Sequence, residues 1–310
     1  MTDAVVIGEC MVELSLDGGR AAAIGYAGDT FNTAVYLSRL GVSSAYATAI
    51  GNGDPFSAGI LGQMTEEGLE RSLVVEAEGR LPGLYAIRID PAGERSFFYW
   101  RGEAPVRDYM VLVERDALAA ATANARLVYV SAITLAVLGE GGRAELTAIL
   151  REASQAGVGI ALDTNYRARL WPDAASARAA LEAVALLCRH VSTGEQDLRG
   201  LGLDADAAPR RWAAGGAQVV LRREDRSIEV LTQTGRETYP PEPPIAAVDT
   251  TGAGDAFNAG YLAAQLAGKL PAEAVAAGRR LARVVVQHRG AIVPRSVMPA
   301  PEACASPGSV

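Results

Sequence analysis

The chain reads as an α/β protein: a mostly parallel sheet between helical layers, with a small β appendage. Three observations predict this. Short apolar runs alternate with helix-spaced segments along most of the length. One stretch breaks the rhythm with two strand-like runs and no helix between them. The composition is globular, with 310 residues, 49% of them hydrophobic and 21% charged. Such a length buries one large core or two domains, and the composition excludes disordered, collagen-like and disulfide-scaffold chains. A net charge of −7 disfavours general binding to nucleic acid or an anionic membrane. A pocket for an acidic metabolite remains open to such a chain, because it needs only a few local cations.

Taken in order, Ala4–Ile7 is an apolar run that predicts the first strand. Residues 30–40 place Phe31, Ala34, Val35 and Leu37 at helical spacing, with Gly41 as a stop. Residues 44–50 read as a strand, and Asp54-Pro55 opens a helix reaching about residue 67. Residues 83–90 alternate, Pro91-Ala92-Gly93-Glu94 is turn chemistry, and 95–101 is aromatic-rich, which predicts a β-hairpin. Beyond Arg126 the alternation resumes: strands at Leu127–Ser131 and Gly159–Asp163 flank a helix over 143–156, and 217–221 is a further strand. One domain over 1–300 is expected, with the appendage drawn from about 10–27 and 82–104. The Pro- and Ser-rich residues 301–310 are expected to form a flexible tail. Cys10, Cys188 and Cys304 have no metal-ligand spacing and read as free thiols. His190 and His288 are too few for a histidine metal site. The opening MTDAVVIGEC fits neither a secretory leader nor a membrane span, so a cytoplasmic protein is expected.

The segment richest in chemistry is 247–262, AVDTTGAGDAFNAGYL. Small residues at Gly252, Ala253 and Gly254 allow close approach of a ligand, and the helix starting there offers unpaired N–H groups, an anion cradle. Asp255 at its mouth could take the proton of a hydroxyl facing a phosphate, or could be an ordinary helix-start acid. No GxGxxG or GxxxxGK[ST] is present.

DTTGAGDAFNAGYLA resembles the C-terminal signature of the ribokinase (PfkB) family of carbohydrate kinases, and 25–34, GYAGDTFNTA, resembles the N-terminal one. The resemblance runs from IGECMVELS to HRGAIVPR. It implies a ribokinase-like three-layer α/β/α fold with a β lid, and ATP-dependent phosphorylation of a sugar. Within the family, RLPGLYAIRIDPAGERSFFYWRGEAP and LDTNYRARLWP are similar to members acting on the 6-hydroxyl of 2-keto-3-deoxy-D-gluconate. The resemblance makes Asp255 the catalytic base, with Gly252, Ala253 and Gly254 donating N–H groups to the transferring phosphoryl. It assigns Gly28, Asp29, Thr30, Asn32, Tyr85, Tyr99, Arg101 and Arg167 to the substrate, and guanidinium forks suit its carboxylate. Asn165 and Ser192 are expected on the phosphate side, beside Gly252 and Gly254. Glu195 is expected to reach Mg²⁺ through water, although it also reads as a first-turn helix acid. Asp249 and Thr251 resemble the start of a monovalent-cation loop, such as one for K⁺. The charged run 222–226 stands where relatives carry a Lys-x-Gly-like turn. The lid implies a homo-oligomer paired through it. Other readings are a fructokinase, a kinase of another keto-deoxy acid, or a non-catalytic sugar- or nucleotide-binding regulator.

Overall fold

The computed structural model describes residues 2–16, 21–89 and 95–299. The expected turn at 91–94 and the tail at 301–310 lie outside the described residues. In chain order the strands are β1 (Ala4–Ile7), β2 (Met11–Leu16), β3 (Ala22–Ala27), β4 (Ser44–Gly51), β5 (Val74–Ala77), β6 (Leu84–Ile89), β7 (Arg95–Trp100), β8 (Leu127–Ser131), β9 (Gly159–Asp163), β10 (His190–Gly194), β11 (Gln218–Arg222), β12 (Ile228–Thr232) and β13 (Gly235–Tyr239).

Nine strands form the main sheet, in the order β13-β12-β11-β10-β9-β8-β1-β4-β5. Pairing is parallel from β11 to β5, and only β12 and β13 run antiparallel. Helices cover both faces, which is why β1, β8 and β9 are short runs buried at every position. The predicted helix at 55 is present as Pro55–Glu66, its N-cap Asp54 accepting from the Phe56 and Ser57 amides, both at 2.9 Å. A cap of this kind contributes about 1 kcal/mol.

Three departures from the sequence reading have physical causes. The helix expected over 143–156 spans Gly139–Gln155. Its glycine-rich first turn, weak in helix propensity, is held by packing, with Gly142 close against Leu138 and Met110. The strand expected at 217–221 lies one residue later, which places Arg222 at its last position. Strands β5, β10, β12 and β13 were not foreseen. The polar sequence of β10, HVSTG, is strand only because β9 and β11 flank it.

The hairpin β6–β7 joins β2 and β3 in a separate four-stranded sheet, ordered β3-β2-β6-β7. Period-2 alternation divides its side chains. Glu13, Tyr85 and Tyr99 are cross-strand partners on one face. Val12, Leu84 and Trp100 align on the other, followed by Leu14, Ala86 and Phe98. On that second face Trp100 is 61% and Phe98 41% exposed, while the first face covers a cleft.

Candidate active site

The cleft lies at the carboxyl ends of the parallel strands, the usual ligand position in an open α/β sheet. It has a volume of about 930 Å³. Glu9 enters it just after β1, Asp163 from the end of β9, Arg222 from the end of β11, and Tyr85, Phe97 and Tyr99 from the small sheet.

At one end stands the start of the helix Ala253–Leu266. Gly252 caps it in the left-handed region, at φ 76°. A Cβ there would come within 2.7 Å of the Ala291 carbonyl oxygen, so both conformation and space require glycine. Asp249 braces this turn: its Oδ1 accepts from the Thr251 amide and its Oδ2 from the Gly290 amide, each at 2.8 Å. The Ala253 amide is turned back to the Thr250 carbonyl at 3.3 Å. Gly252 and Gly254 line the cleft.

Asp255 is 8% exposed and takes a 2.7 Å hydrogen bond from Asn32 Nδ2. Asn32 belongs to the helix Asp29–Arg39, so this bond ties two helix starts together at the cleft floor. Burial, with Asp29 nearby, holds the Asp255 carboxyl well above the usual carboxylate range. Asp29 accepts from Asn165 Nδ2 at 3.0 Å, so Asn165, expected on the phosphate side, is tied to the start of the 29–39 helix as well as lining the cleft wall. The Gly28 amide is 3.4 Å from Asn32 Oδ1.

The other end is aromatic and cationic. Tyr99 stacks on Tyr85 with centroids 5.7 Å apart, and the Arg169 guanidinium lies 3.8 Å from the centroid of the Tyr99 ring, well inside cation–π range. Tyr85 donates its hydroxyl to Glu13, and burial pushes that hydroxyl up, so it stays a donor. Arg101 is ion-paired with the buried Glu9. Arg167 is exposed, and its Nη1 donates to the Tyr166 carbonyl at 3.1 Å. Tyr85, Tyr99, Arg101 and Arg167 therefore come together on one cleft.

Some expected residues stand elsewhere. Thr30 is fully buried, with its hydroxyl 2.9 Å from that of Tyr46. Ser192 donates to Asn258 Oδ1 at 2.7 Å and does not line the cleft. Glu195 pairs with Arg223 at 2.8 Å and accepts from the Glu224 amide at 2.7 Å. These bonds hold its carboxyl below the usual range. The charged 222–226 run is thereby explained. Arg223 also binds Asp206 and Glu229, at 2.6 and 2.7 Å, so it ties the loop to its own surroundings. Arg226 occupies the left-handed region at φ 68°, unusual for a non-glycine residue.

Sequence reading missed Glu9, Asp163, Arg169, Asp197 and Asn258. Asp163 is buried beside Arg222 (3.4 Å) and Asn258 (2.9 Å), and burial raises its carboxyl. Its position closing a predicted strand was the available signal. Arg169 could have been flagged by its spacing of two from Arg167. A second cavity of about 400 Å³, lined by Ile228, Pro243, Ile245, Phe257 and Arg279, shares Arg222 and Gly254 with the cleft. Two cavities thus meet at the start of the 253–266 helix. That arrangement suits two ligands exchanging a group beside Asp255.

The fold and this site define a sugar kinase. Residues 1–297 match the family described as pfkB family carbohydrate kinase. The chain belongs to that family and is a carbohydrate kinase with a ribokinase-like fold. Over 306 residues it is 37% identical to the 2-dehydro-3-deoxygluconokinase of Dickeya dadantii, covering 95% of this chain and 98% of that one. The 2-dehydro-3-deoxygluconokinase of Escherichia coli K12 matches equally, 37% identical with the same coverage. The crystal structure of 2-dehydro-3-deoxygluconokinase from Thermotoga maritima shares the fold, with TM-score 0.81 and 21% identity over 94% of this chain and 96% of that chain.

Proposed function

We propose that this chain transfers the γ-phosphoryl of ATP to the 6-hydroxyl of 2-dehydro-3-deoxy-D-gluconate, giving the 6-phosphate and ADP. The observation that carries the reading is the polarity of the cleft. A buried carboxylate at a glycine-rich helix start faces arginines under an aromatic sheet, a shape suited to a sugar with a hydroxyl at one end and a carboxylate at the other. The names of the relatives 37% identical to it support the same substrate.

In this reading Asp255 accepts the proton as the hydroxyl oxygen bonds to phosphorus and the bridging oxygen leaves with ADP. Asn32 fixes one carboxylate oxygen, so the base is oriented before the substrate arrives. The amides of Gly252 and Gly254 stabilise the phosphoryl oxygens, and Arg222 stands between the two cavities as their cation. Asp29 and Asn165 take sugar hydroxyls. Arg101 and Arg167 take the carboxylate, and Tyr85 and Tyr99 cover the sugar against water. The second cavity receives the nucleotide base.

Mg²⁺ carried by the nucleotide neutralises phosphate charge. Asp163 and Asp197 line the cleft with hard oxygen donors suited to its waters, whereas Glu195 would first exchange its pair with Arg223. Among the described residues no group of three or more His, Cys, Asp or Glu is placed to hold a metal. A potassium ion bound near the Asp249–Thr251 turn belongs to the same proposal. Replacing K⁺ by Na⁺ should then lower activity.

The outer face of the small sheet, with Ile24, Phe98 and Trp100 exposed, is proposed to pair with a second copy. Cys10 and Cys188 are free, buried thiols, in keeping with a cytoplasmic enzyme. Among the described residues no helix is long and apolar enough to cross a membrane.

The test is a coupled ADP-release assay with ATP and Mg²⁺ on 2-dehydro-3-deoxygluconate, its galactonate epimer, gluconate, fructose and ribose. Turnover of the first well above the neutral sugars is expected. A preference for fructose or ribose would overturn the role of the arginines.

A further inference from the structure

The loop after β1 carries a charge that the proposed chemistry leaves unused. Glu9 is 3% exposed and borders the cleft. One of its carboxylate oxygens, Oε2, is bound by Arg101, whose side chain is itself only 10% exposed. The other, Oε1, is buried and has no hydrogen-bond donor among the described residues. Buried polar atoms are almost always satisfied, and an exception calls for an explanation. The Gly83 backbone packs closely beside this oxygen. A Cβ on Gly83 would stand 2.5 Å from Oε1, so any larger residue there would press on it.

An orphaned acceptor beside a paired guanidinium, both on a ligand-sized cleft, is half of a recognition pattern. The complementary ligand presents a carboxylate to Arg101 and, next to it, a group that can donate. A carbonyl or second carboxylate oxygen cannot fill this place, because two acceptors would face each other. We infer that Glu9 is a specificity-determining residue that accepts a hydrogen bond from a hydroxyl of the substrate whose carboxylate Arg101 holds. In the proposed sugar acid carbon 2 is a ketone and carbon 3 carries no hydroxyl in the open chain, so the donor is the carbon-2 hydroxyl of the hemiketal ring or the hydroxyl of carbon 4. The inference rests on the sugar-acid reading of the cleft and adds to it a donor requirement at a second position. Its selectivity comes mainly from rejection. An analogue without that hydroxyl leaves a buried charged oxygen unpaired, a loss on the order of 10- to 100-fold in affinity.

The experiment measures equilibrium binding by calorimetry, without nucleotide, for the sugar acid and for analogues each lacking one hydroxyl. Wild type is compared with Glu9→Gln, which keeps the length and can still accept from Arg101, and with Glu9→Asp, which keeps the charge but withdraws the free oxygen. One deoxy analogue should bind wild type about 10- to 100-fold more weakly than the parent. Glu9→Asp should bind the parent with a similar loss and show almost no further loss for that same analogue, whereas Glu9→Gln, whose amide nitrogen can donate to the hydroxyl oxygen, controls for the hold on Arg101. If every analogue loses the same factor in wild type and variants, Glu9 only positions Arg101 and the proposal fails.

Melting temperatures identify a variant that has not folded. Wild type alone then still decides the matter. Replacing the chosen hydroxyl by fluorine removes the donor, so it should bind no better than replacement by hydrogen, and recovery with fluorine would overturn the assignment. Should the substrate panel favour a neutral sugar, that sugar's deoxy series replaces this one. The sugar-acid reading then fails in the panel, while the Glu9 contact is judged on the coupling.

Discussion

At one end of the cleft, Gly252, Gly254 and Asp255 come from four successive positions at a helix start. At the other, Glu9, Tyr85, Tyr99, Arg101 and Arg167 come from the loop after β1, two strands of a separate sheet, the residue just past them and the loop after β9. The first end works largely through backbone: a left-handed glycine, helix-start amides and one carboxylate held by Asn32. The second works through side chains whose charges are already partly matched. Arg101 leans on a buried glutamate, while Arg167 is exposed. Two arginines with one proposed task thus differ in what else depends on them, and burial makes the difference.

The largest effect should come from breaking the backbone end. Asp255→Ala is expected to lower kcat by two to four decades, on the order of what a positioned proton acceptor supplies, with sugar-acid affinity nearly kept. Steady-state kinetics with calorimetric binding checks this, and activity close to wild type would remove Asp255 as the base.

The arginines separate next. Arg101→Ala leaves Glu9 buried and unpaired, so denaturant unfolding should show a loss of about 3–5 kcal/mol. Arg167→Ala should change stability by no more than about 0.5 kcal/mol and still weaken sugar-acid binding about 10- to 100-fold. Equal stability losses would abolish the contrast drawn here, and an equal loss of ATP and sugar-acid binding would make Arg167 a nucleotide or structural residue.

A smaller effect concerns pH. Because burial raises the Asp255 carboxyl in the folded state, the native protein binds more protons there than the unfolded chain does. Its contribution to stability is present below the ordinary carboxylate range and is lost as pH rises through the raised value. Asp255→Asn should therefore raise the melting temperature at pH 7 to 8, with the gain shrinking toward pH 4. A variant less stable than wild type at pH 8 would contradict this. Catalysis runs the other way: kcat/KM should fall as pH drops through the same raised value, because a protonated Asp255 accepts no proton.

The smallest effect on chemistry lies on the far face of the small sheet. Trp100→Lys should shift the protein toward monomer in sedimentation velocity while changing kcat less than any cleft substitution. An unchanged mass, or a wild type that is already monomeric, would remove the proposed pairing surface.

The contiguous end of the site was legible because its information is local. A tight turn, small residues and an acid at a helix start leave their mark within a dozen positions, so Asp255 and its glycines stand out as a candidate site, while the base role is what the family resemblance implies. The same holds for the first strands, the Asp54 cap and the mostly parallel pairing implied by β–α alternation. Other features became visible only in three dimensions. The pairing of Glu9 with Arg101 spans 92 positions. The Asn32–Asp255 bond spans 223, and the stacking of Arg169 on Tyr99 joins two sheets' worth of structure. The polar strand β10 and the edge hairpin β12–β13 likewise take their form from neighbours rather than from their own pattern. Local propensity and periodicity are written along the chain, so sequence alone determined the layers and marked the glycine-rich, acid-bearing helix start as a candidate site. Charge pairing and burial depend on which distant segments the sheet brings together, so only the tertiary structure decided which carboxylates are matched, which is left open, and which arginine is exposed.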